Sequence, residues 1–409
     1  MAKSIIIAGS LDTKGEEFSF IKSLIIKAGL PTLVIDFGVM GTPSFTPDVS
    51  REDVCSAGGG DLSYLSSGSH KDEAMATMSK GLSLKVRELY DEGRVSGIIS
   101  MGGSGGTSVA TAAMRELPVG IPKIMVSTVG GGDVSAYAGT KDITFMPSIV
   151  DVAGINSISR TIYENSAGAI IGMVKQALTE TTDKPGTTAE ELPIITASMF
   201  GNTTEAVDNA REIIAKEGYE VLVFHATGIG GRTMESLITD GYVTGNLDMT
   251  TTELADTVCG GVFDAGPSRC QAAAQSGVPT IIVPGCVDMA NFGGRSTVPD
   301  QYQERLLYEW NPDITLLRTN VEENRQIGKM IADAANLASA PITIIVPTGG
   351  VSMLDSEGER FWDPSADRAC FDSIKNNLNS NVNYIEDEHN INDPEFSSLT
   401  AKLLLEMLK

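Results

Sequence analysis

The chain has 409 residues, a formal net charge of −23 at pH 7 and 42% apolar side chains. This length exceeds what one ordinary core covers, so we expect two domains. The acidity, and the lack of a basic stretch with interleaved aromatic residues, argue against direct binding of nucleic acid. We expect a cytoplasmic protein without a membrane partner, because no signal peptide precedes the first apolar run and no apolar run reaches the roughly 18 residues that span a bilayer.

Cysteine and histidine are sparse. The five cysteines follow no CxxC or zinc-type spacing, and the three histidines lie far apart in the sequence. This pattern favours reduced, buried thiols and no metal site.

The first half of the chain alternates short apolar runs with amphipathic stretches, which predicts strands alternating with helices. The predicted strands are 4–8, 33–36, 95–101, 123–127 and 143–146, and the predicted helices are 14–28, 71–91, 109–116 and 151–178. The glycine-rich segment 38–68 is expected either to cross the sheet edge or to form a mobile lid. The last of these helices is expected at the back of the domain or in an oligomer interface. Strand, helix and strand in this order require right-handed parallel crossovers.

The polar segment 181–191, with Pro-Gly at its middle, predicts a linker. We therefore expect a nucleotide-binding lobe at 1–182, a linker at 183–191 and a second lobe at 192–409. Each is expected to be an α/β, doubly wound lobe with a mainly parallel sheet. In the second half the predicted strands are 193–198, 220–225, 280–283, 314–317 and 342–346, and helices are predicted at 203–216, from 250, and at 321–337, 364–378 and 396–408.

The two halves begin alike, which indicates a weak internal repeat. Gly9 to Asp36 spans 27 positions, and so does Ser198 to His225. A glycine follows the first predicted helix at the same offset in both halves. One α/β unit therefore looks duplicated.

Two glycine loops in the first half, 9–15 and 102–108, each lie between a predicted strand and a predicted helix. Such turns direct backbone N–H groups at an anion, so we hypothesise that both face one phosphate-bearing ligand. Lys14 lies in the first turn of a predicted helix, where the helix dipole disfavours a cation. A bound phosphate would explain a lysine at this position. Ser104 and Thr107 are expected to offer hydroxyl donors or to cap the helix. Asp36 occupies the place of a ribose acceptor, although neither the G-x-G-x-x-G nor the Walker pattern is present.

These features have ordinary structural alternatives. Tight glycine turns are common in any α/β protein, and the alternative for Lys14 is a solvated lysine or one paired with Asp12 or Glu17. In the second half, residues 250–253 fit the capping box S/T-x-x-E, which competes with a catalytic role for Glu253. The catalytic candidates are the polar residues near predicted strand ends: His225, Glu253, Asp288 and Asn291. Arg232 and Arg269 are candidates for contact with an anion.

Several longer motifs carry a resemblance to a known family. They include GSLDTKGEE at 9–17, GIISMGGSGGTS at 97–108, GTKDITFMPSIVDVAG at 139–154, VFHATGIGGRTME at 223–235, TTTELADTVCGG at 250–261 and GGVSMLDSEGERFWD at 349–363. Segments 120–139, 284–293 and 316–328 also match, so the resemblance spans nearly the whole chain. The sequence resembles the uncharacterised protein family with a Tm-one-like ATP-binding domain. That family is named for the amino-terminal module of a plant antiviral resistance protein, and it has bacterial and fungal members.

The resemblance implies two Rossmann-like lobes, ATP binding and self-association, without a settled reaction. The implied ATP contacts lie on the first loop, just past the second strand, at the start of the long helix and on the second glycine loop: Asp12, Thr13, Lys14, Val39, Lys71, Gly103, Ser104, Gly105, Gly106, Thr107 and Ser108. The family usually has Arg at the helix start, so Lys71 replaces a bidentate grip with a point charge.

The chain departs from the family pattern at two further places. Tyr308 and Trp310 stand where relatives carry a pair of His before Asn311, so an acid–base or metal role of that pair does not transfer. The loop 129–133 also has more glycine than usual.

We therefore expect a nucleotide-binding protein that holds ATP, with or without Mg²⁺, on the first lobe, while the second lobe contacts a small metabolite or a partner protein. A homo-oligomer, dimer or higher, is expected. The alternative is a metabolic enzyme (hydrolase, lyase or transferase) acting on a small carboxylated or phosphorylated substrate in an inter-lobe cleft. A third hypothesis is a scaffold whose nucleotide stabilises a dimer. Without a Walker-type Ser/Thr, we expect binding without fast hydrolysis. The substrate and the base preference stay open.

Overall fold

The computed structural model describes residues 3–180 and 192–409. The chain divides into two compact units, Met1–Thr188 and Ala189–Lys409. The predicted linker at 183–191 lies outside the described residues, so that boundary stays a prediction.

The sheet of the first lobe is fully parallel. Its strands are β1 Ser4–Gly9, β2 Thr32–Asp36, β3 Val95–Gly102, β4 Lys123–Ser127 and β5 Thr144–Pro147. They are arranged in the order β2-β1-β3-β4-β5. The chain passes from β1 to one side and then to the other, so the carboxyl ends of β1 and β3 flank the position where open α/β sheets bind ligands.

Helices cover both faces of this sheet. They are α1 Leu11–Lys27, α2 Arg51–Gly58, α3 Leu62–Leu65, α4 Lys71–Asp91, α5 Ser104–Met114, α6 Ser135–Ala138 and α7 Ser157–Glu180. Phe18 of α1 and Tyr163 of α7 pack on one face, whereas Met78 of α4 and Val109 of α5 pack on the other. The doubly wound prediction for this lobe is confirmed.

Three predictions for these helices need correction. The segment 38–68 contains α2 and α3, because Ser50 and Asp53 form a capping box and Asp61 caps the next turn. Helix α5 begins at Ser104, five residues before the predicted start, so most of the expected glycine loop is helical. The last helix of the lobe begins at Ser157 rather than at 151.

The second lobe has a larger parallel sheet and a small antiparallel one. Its strands are β6 Ile194–Met199, β7 Glu220–His225, β8 Val243–Thr250, β9 Thr280–Gly285, β10 Met289–Phe292, β11 Leu307–Asn311, β12 Ile314–Arg318, β13 Ile342–Pro347 and β14 Asn383–Asp387. The parallel sheet has the order β14-β13-β9-β8-β6-β7, and the antiparallel sheet has the order β10-β12-β11. Strand β12 was predicted at 314–317, whereas β8, β10, β11 and β14 were not, since their sequences are too polar or too short to stand out.

The helices of the second lobe again lie on both faces. They are α8 Thr204–Lys216, α9 Ile229–Thr239, α10 Thr252–Cys259, α11 Ala272–Ser276, α12 Val321–Ala335, α13 Pro364–Asn377 and α14 Pro394–Met407. Ile214 of α8 and Leu404 of α14 belong to the core on one face. Leu254 of α10, Ile331 of α12 and Phe371 of α13 belong to the core on the other. The second lobe is therefore doubly wound as well.

The internal repeat is visible in the topology. The order β2-β1-β3-β4-β5 of the first lobe recurs as β7-β6-β8-β9-β13 in the second. The pairing of the first and third strands even shifts register at the same place in both lobes. Gly9 pairs with Asp36, whereas Met199 pairs with His225. The equivalent of Gly9 is thus Met199, one residue away from the Ser198 that the sequence comparison predicted.

Candidate functional site

A cavity of about 410 Å³ lies at the carboxyl edge of the first sheet, within the size range of small-molecule sites. Its lining residues follow β1, β2 and β3 or belong to the helical segment between them. Six of the eleven expected ATP contacts line it: Asp12, Thr13, Val39, Lys71, Gly105 and Gly106. The cavity brings together residues that lie far apart in the sequence.

The amino terminus of α5 contributes unused backbone donors to this cavity. Gly103 precedes the helix and offers no side-chain cap. The first hydrogen bond of the helix runs from Thr107 N–H to the Gly103 carbonyl (2.9 Å). The N–H groups of Ser104, Gly105 and Gly106 precede that bond, so they are the donors that a helix terminus offers to an anion.

Gly105 keeps the cavity open. A Cβ at this position would meet the Met75 side chain at 3.4 Å and would stand on the cavity wall. A longer side chain there would occupy the ligand space. The glycine is therefore a requirement of the cavity rather than of the turn.

Asp12 shapes the opposite wall. One of its oxygens, Oδ2, accepts hydrogen bonds from the N–H groups of Met40 and Gly41, both at 2.9 Å. These bonds fix the loop after β2, which carries Val39 into the cavity lining. The carboxylate thus positions the wall through Oδ2, while its Oδ1 is buried without a hydrogen-bond partner among the described residues.

Asp36 is a structural residue. It is fully buried, and its Oδ1 accepts hydrogen bonds from Leu11 N–H (3.0 Å) and Gly38 N–H (2.8 Å). Burial raises the pKa of this carboxyl. Asp36 does not line the cavity, so the expectation of a ribose acceptor at this position is wrong.

The other five expected contacts do not line the cavity: Lys14, Gly103, Ser104, Thr107 and Ser108. The Lys14 ammonium donates to the Val152 carbonyl, and the backbone at Lys14 breaks the helical conformation. The Thr107 hydroxyl is buried and bonds to the Gly103 carbonyl and to Ser127. Direct contact of these groups with a ligand stays a prediction.

Sequence reasoning missed the apolar part of the wall. It consists of Phe37, Met40, Leu65, Ala74, Met75, Met78 and Val109. The helical period of α4 predicted Met75 and Met78 as core residues, and Met78 is indeed buried. No pattern in the sequence separates an apolar side chain on a cavity wall from one in a closed core.

In the second lobe, a fully buried arginine binds three carboxylates. The Arg269 guanidinium holds Asp248 through two bonds of 2.5 and 2.6 Å, and its Nε donates to Glu253. Glu235 lies 3.5 Å from Nη1. Burial raises the pKa of Glu235 to about 7; the charge of Arg269 opposes this shift, and those of Asp248 and Glu253 add to it. Arg269 was predicted to contact an anion, and the anions that it contacts are carboxylates of this chain.

Glu253 belongs to α10, and its carboxylate lies at the amino terminus of α9. Its Oε1 accepts from the N–H groups of Gly228 (2.7 Å) and Gly231 (3.1 Å). A Cβ on Gly231 would come within 2.2 Å of the Glu253 carboxylate, so this approach needs glycine. The predicted capping box is wrong, because Thr251 precedes α10 and makes no side-chain cap.

Asp288 and Asn291 belong to internal networks. Asp288 accepts from the Ser352 hydroxyl (2.9 Å), and burial together with the charge of Asp355 raises the pKa of Asp288 to about 7. Asn291 donates through its backbone and its side chain to Asp256 (2.6 and 2.8 Å). Burial raises the pKa of Asp256 to about 8. Glu253, Asp288 and Asn291 are all fully buried, each with its own partners.

His225 is the exposed member of the four catalytic candidates. It ends β7, and its ring lies 5.3 Å from that of Phe200. It lines a small cavity together with Trp310. The neighbouring Tyr308 lies under the guanidinium of Arg360 at 4.4 Å.

The five cysteines all lie in the described part of the chain, where they are buried and form no disulfide. Among residues 3–180 and 192–409, no set of three or more His, Cys, Asp or Glu side chains is arranged to hold a metal. Within the same residues, none of the helices combines the length and the hydropathy needed to cross a membrane.

Family models match both lobes. The N-terminal domain of the uncharacterised protein family UPF0261 matches residues 3–179, and its C-terminal domain matches residues 192–408. A UPF0261 protein of Clostridium tetani is 48% identical over 410 residues, with 100% of both chains covered. The ToMV resistance protein Tm-1 of Solanum lycopersicum is 40% identical over 339 residues, which is 82% of this chain and 44% of that protein.

Among solved structures, the UDP-N-acetylglucosamine 2-epimerase of Rickettsia bellii covers 100% of this chain and 96% of its own, at 10% identity and a TM-score of 0.25. A likeness this weak carries no argument about function. The family matches cover nearly every described residue, and they confirm the resemblance drawn from the motifs. The chain therefore belongs to the uncharacterised protein family UPF0261, which is related to tomato Tm-1.

Proposed function

We propose that the first lobe binds a nucleotide, ATP, in the cavity bounded by α1, α4 and α5. The observation that carries this proposal is the convergence of two helix amino termini on one cavity, with Thr13 on one side and Gly105 and Gly106 on the other. Paired helix termini offer backbone donors and positive dipole ends to phosphates.

The rest of the lining suits the nucleoside. Phe37, Leu65, Met75 and Met78 provide an apolar wall, and flat purine rings bind well against such side chains. The base lies against this wall, and the phosphates extend toward the glycines of α5.

Lys71 supplies the local positive charge that an anion needs in a chain of net charge −23. It opens α4, its side chain is exposed, and it lines the cavity. The ammonium acts as a point charge on the phosphates, and Mg²⁺ accompanying ATP neutralises part of the remaining charge.

Slow hydrolysis is part of the proposal. Of the residues that line the cavity, only Asp12 carries a carboxylate, and its Oδ2 already accepts two backbone hydrogen bonds. The lining contains no glutamine, the residue that orients the attacking water in Ras-type hydrolases, and no glutamate. The protein thus binds ATP and retains it.

A calorimetric titration of ATP into wild type, Lys71→Ala and Lys80→Ala tests the proposal. Loss of a charged hydrogen bond costs about 1.5–3 kcal/mol, so Lys71→Ala should weaken binding about tenfold or more. Lys80→Ala removes the same charge from an exposed position on the same helix, away from the cavity, and should bind as wild type. No binding to wild type, or equal affinity for both variants, would contradict the proposal.

We also propose that the protein is a cytoplasmic homo-oligomer, dimer or higher, as the resemblance to the family implies. Sedimentation velocity with and without ATP tests this state. A monomer under both conditions would contradict it. A dimer that forms only with ATP would favour the scaffold hypothesis.

A further inference from the structure

Strand β7 ends the parallel sheet of the second lobe, and no strand in the described part of the chain pairs with its outer side. Its residues 221–224 (VLVF) are all apolar and half-buried. A free strand edge pairs readily with another chain, so proteins usually protect it with charges, proline, a bulge or a covering segment. Strand β7 keeps a regular register with β6, and 221–224 contains neither a charge nor a proline. An apolar edge of this kind is a candidate interaction surface.

The equivalent strand of the first lobe shows the same edge in a covered state. Strand β2 corresponds to β7 in the repeat. Its outer side pairs with the segment before α2, where Asp36 N–H donates to the Val49 carbonyl (3.1 Å) and Val49 N–H donates to the Val34 carbonyl (3.0 Å). Val34, Ile35 and Asp36 are all fully buried. The two lobes thus differ in whether this edge is covered.

The two remaining edges of the parallel sheets are protected in other ways. Strand β5 has only four residues and ends in Pro147. Strand β14 carries a charge, since Glu386 accepts hydrogen bonds from Arg368 (3.0 Å) and Lys375 (3.3 Å). Short length, proline and charge all disfavour pairing with another chain. Of the four edges, β7 is therefore the one that is suited to bind a further strand.

The backbone groups that β7 directs outward belong to Val221 and Val223. Glu220 and Ala226 donate their N–H groups toward β6 (3.0 and 2.7 Å), and successive residues of a strand direct their backbone groups to opposite sides, so the odd-numbered residues face outward. The His225 carbonyl already accepts from the N–H group two residues further on (2.8 Å). Two N–H and two C=O groups of the valines thus lie along the edge.

We propose that this edge binds the same edge of a second copy of the chain, as an antiparallel pair about a two-fold axis at Leu222. Val221 of each copy then lies opposite Val223 of the other, and the two pairs exchange four N–H···O=C hydrogen bonds. These bonds use every outward group of the two valines. The parallel sheets of the two copies become one continuous sheet. The interface rests on the proposed homo-oligomer and names the surface that forms it.

The edge is self-complementary in its side chains as well. Leu222 meets Leu222 of the second copy, and Glu220 lies opposite Phe224, so no like charges face each other. Half-buried apolar side chains flank the strand, with Tyr219 in the core on the α8 face and Leu237 in the core on the α9 face. Burial of apolar surface at this edge adds to the four hydrogen bonds. A second copy is favoured over an unrelated peptide because the edge supplies its own partner for each outward donor and acceptor.

A proline at position 223 tests the hydrogen bonds. Val223→Pro removes an N–H group that points away from β6, so the pairing within the sheet is retained. Sedimentation velocity of the full-length chain, with and without ATP, should show a dimer for wild type. The dissociation constant of Val223→Pro should be at least about tenfold higher, because each dimer loses two hydrogen bonds. Val223→Thr is the matched control, since it keeps the N–H group and nearly the same shape, and it should stay a dimer.

A cysteine at position 222 tests the two-fold axis. Residues of a non-hydrogen-bonded antiparallel pair have Cα atoms about 4.5 Å apart, which lies within the range of a disulfide. Leu222→Cys should therefore form a covalent dimer with oxidised glutathione, which takes up the two electrons. The five native cysteines are buried, so wild type should not cross-link. Leu337→Cys places a thiol at an exposed position beyond α12 and should not cross-link either.

A wild type that sediments as a monomer under both conditions would overturn this interface together with the proposed homo-oligomer. A dimer that Val223→Pro leaves unchanged would overturn the interface alone, and so would a Leu222→Cys chain that does not cross-link. Circular dichroism of each variant checks that the fold is retained. If Val223→Pro does not fold, the cross-linking of Leu222→Cys decides the matter.

Discussion

The second residue of the helix that follows the third strand differs between the two lobes. It is Gly105 in α5 of the first lobe and Glu253 in α10 of the second. The strands ahead of these helices share their order and a register shift at the same place. The two positions are therefore equivalent in the repeat, and one carries no side chain where the other carries a carboxylate.

As a consequence, the first lobe has an open cavity beside Gly105, whereas the Glu253 side chain fills the equivalent position in the second lobe. Gly105 lines the first-lobe cavity together with Val39 and Met40 of the loop after β2. Glu253 reaches the loop after β7, where it accepts from Gly228 and Gly231 and pairs with Arg269. A carboxylate resembles a phosphate in charge and in acceptor oxygens. The second lobe thus places its own carboxylate at the amino terminus of α9, whereas the equivalent position in the first lobe, Gly105, leaves the cavity open to a ligand.

The largest effect is expected from Arg269→Met. It leaves Asp248, Glu253 and Glu235 buried without their cation, which costs about 3–5 kcal/mol of folding free energy. Arg211→Met removes a half-exposed arginine on α8 and should change the unfolding free energy by less than about 0.5 kcal/mol. Urea unfolding followed by circular dichroism measures both. Equal urea midpoints for Arg269→Met and Arg211→Met would contradict the assignment of Arg269 to a buried ion-pair cluster.

The second-largest effect is expected in the pH dependence of stability, which should differ between the two lobes. Burial raises the pKa of Glu235 and Asp288 to about 7, and of Asp256 and Asp367 to about 8, all in the second lobe. These values exceed those of the unfolded chain, so the folded state holds protons that the unfolded state has released. Stability should therefore fall as the pH rises from about 4 to about 8, by about 1.4 kcal/mol per pH unit for each such proton.

Asp256→Asn removes one of these groups and should flatten the slope. Urea unfolding at several pH values in this range measures the change. The matched control is Asp208→Asn, a half-exposed carboxylate on α8, which should keep the slope of wild type. A stability that rises across this range, or a slope that Asp256→Asn leaves unchanged, would contradict the titration of buried carboxyls.

The smallest effects concern helix caps, which both lobes share. Ser50 and Asp53 form a capping box before α2, and Asn320 and Glu323 form one before α12. Ser50→Ala and Asn320→Ala should each lower the unfolding free energy by about 1 kcal/mol. Ser19→Ala, at an exposed position within α1, should have almost no effect. Chemical denaturation compares the three, and a larger loss for Ser19→Ala would contradict the capping assignment.

Most strands could be predicted because apolar β-branched runs such as that of β1 stand out from their polar flanks. Strand β8 could not, since Asn246 and Asp248 interrupt its apolar residues. Their partners are Thr196, Ser198 and Arg269, which are far away in the sequence. A buried polar residue in a strand is compatible with the fold only once those partners are known.

The candidate site, like the strands, was predictable only in part. Glycine loops and the family motif indicate which segments meet, and Thr13 and Gly105 of these segments line one cavity. They do not show that Lys14 turns to the Val152 carbonyl or that Glu253 is an internal ion partner. Both outcomes depend on tertiary contacts that local sequence does not encode.

The most direct measurement is the stoichiometry of ATP binding to the full-length chain by calorimetry, for wild type, Gly105→Leu and Glu253→Gln. We expect one nucleotide per chain. Gly105→Leu should abolish binding because the new side chain fills the first-lobe cavity, while Glu253→Gln should keep the same single site. Two nucleotides per chain, or wild-type binding by Gly105→Leu, would contradict the assignment of an open first-lobe cavity and an internally occupied second one.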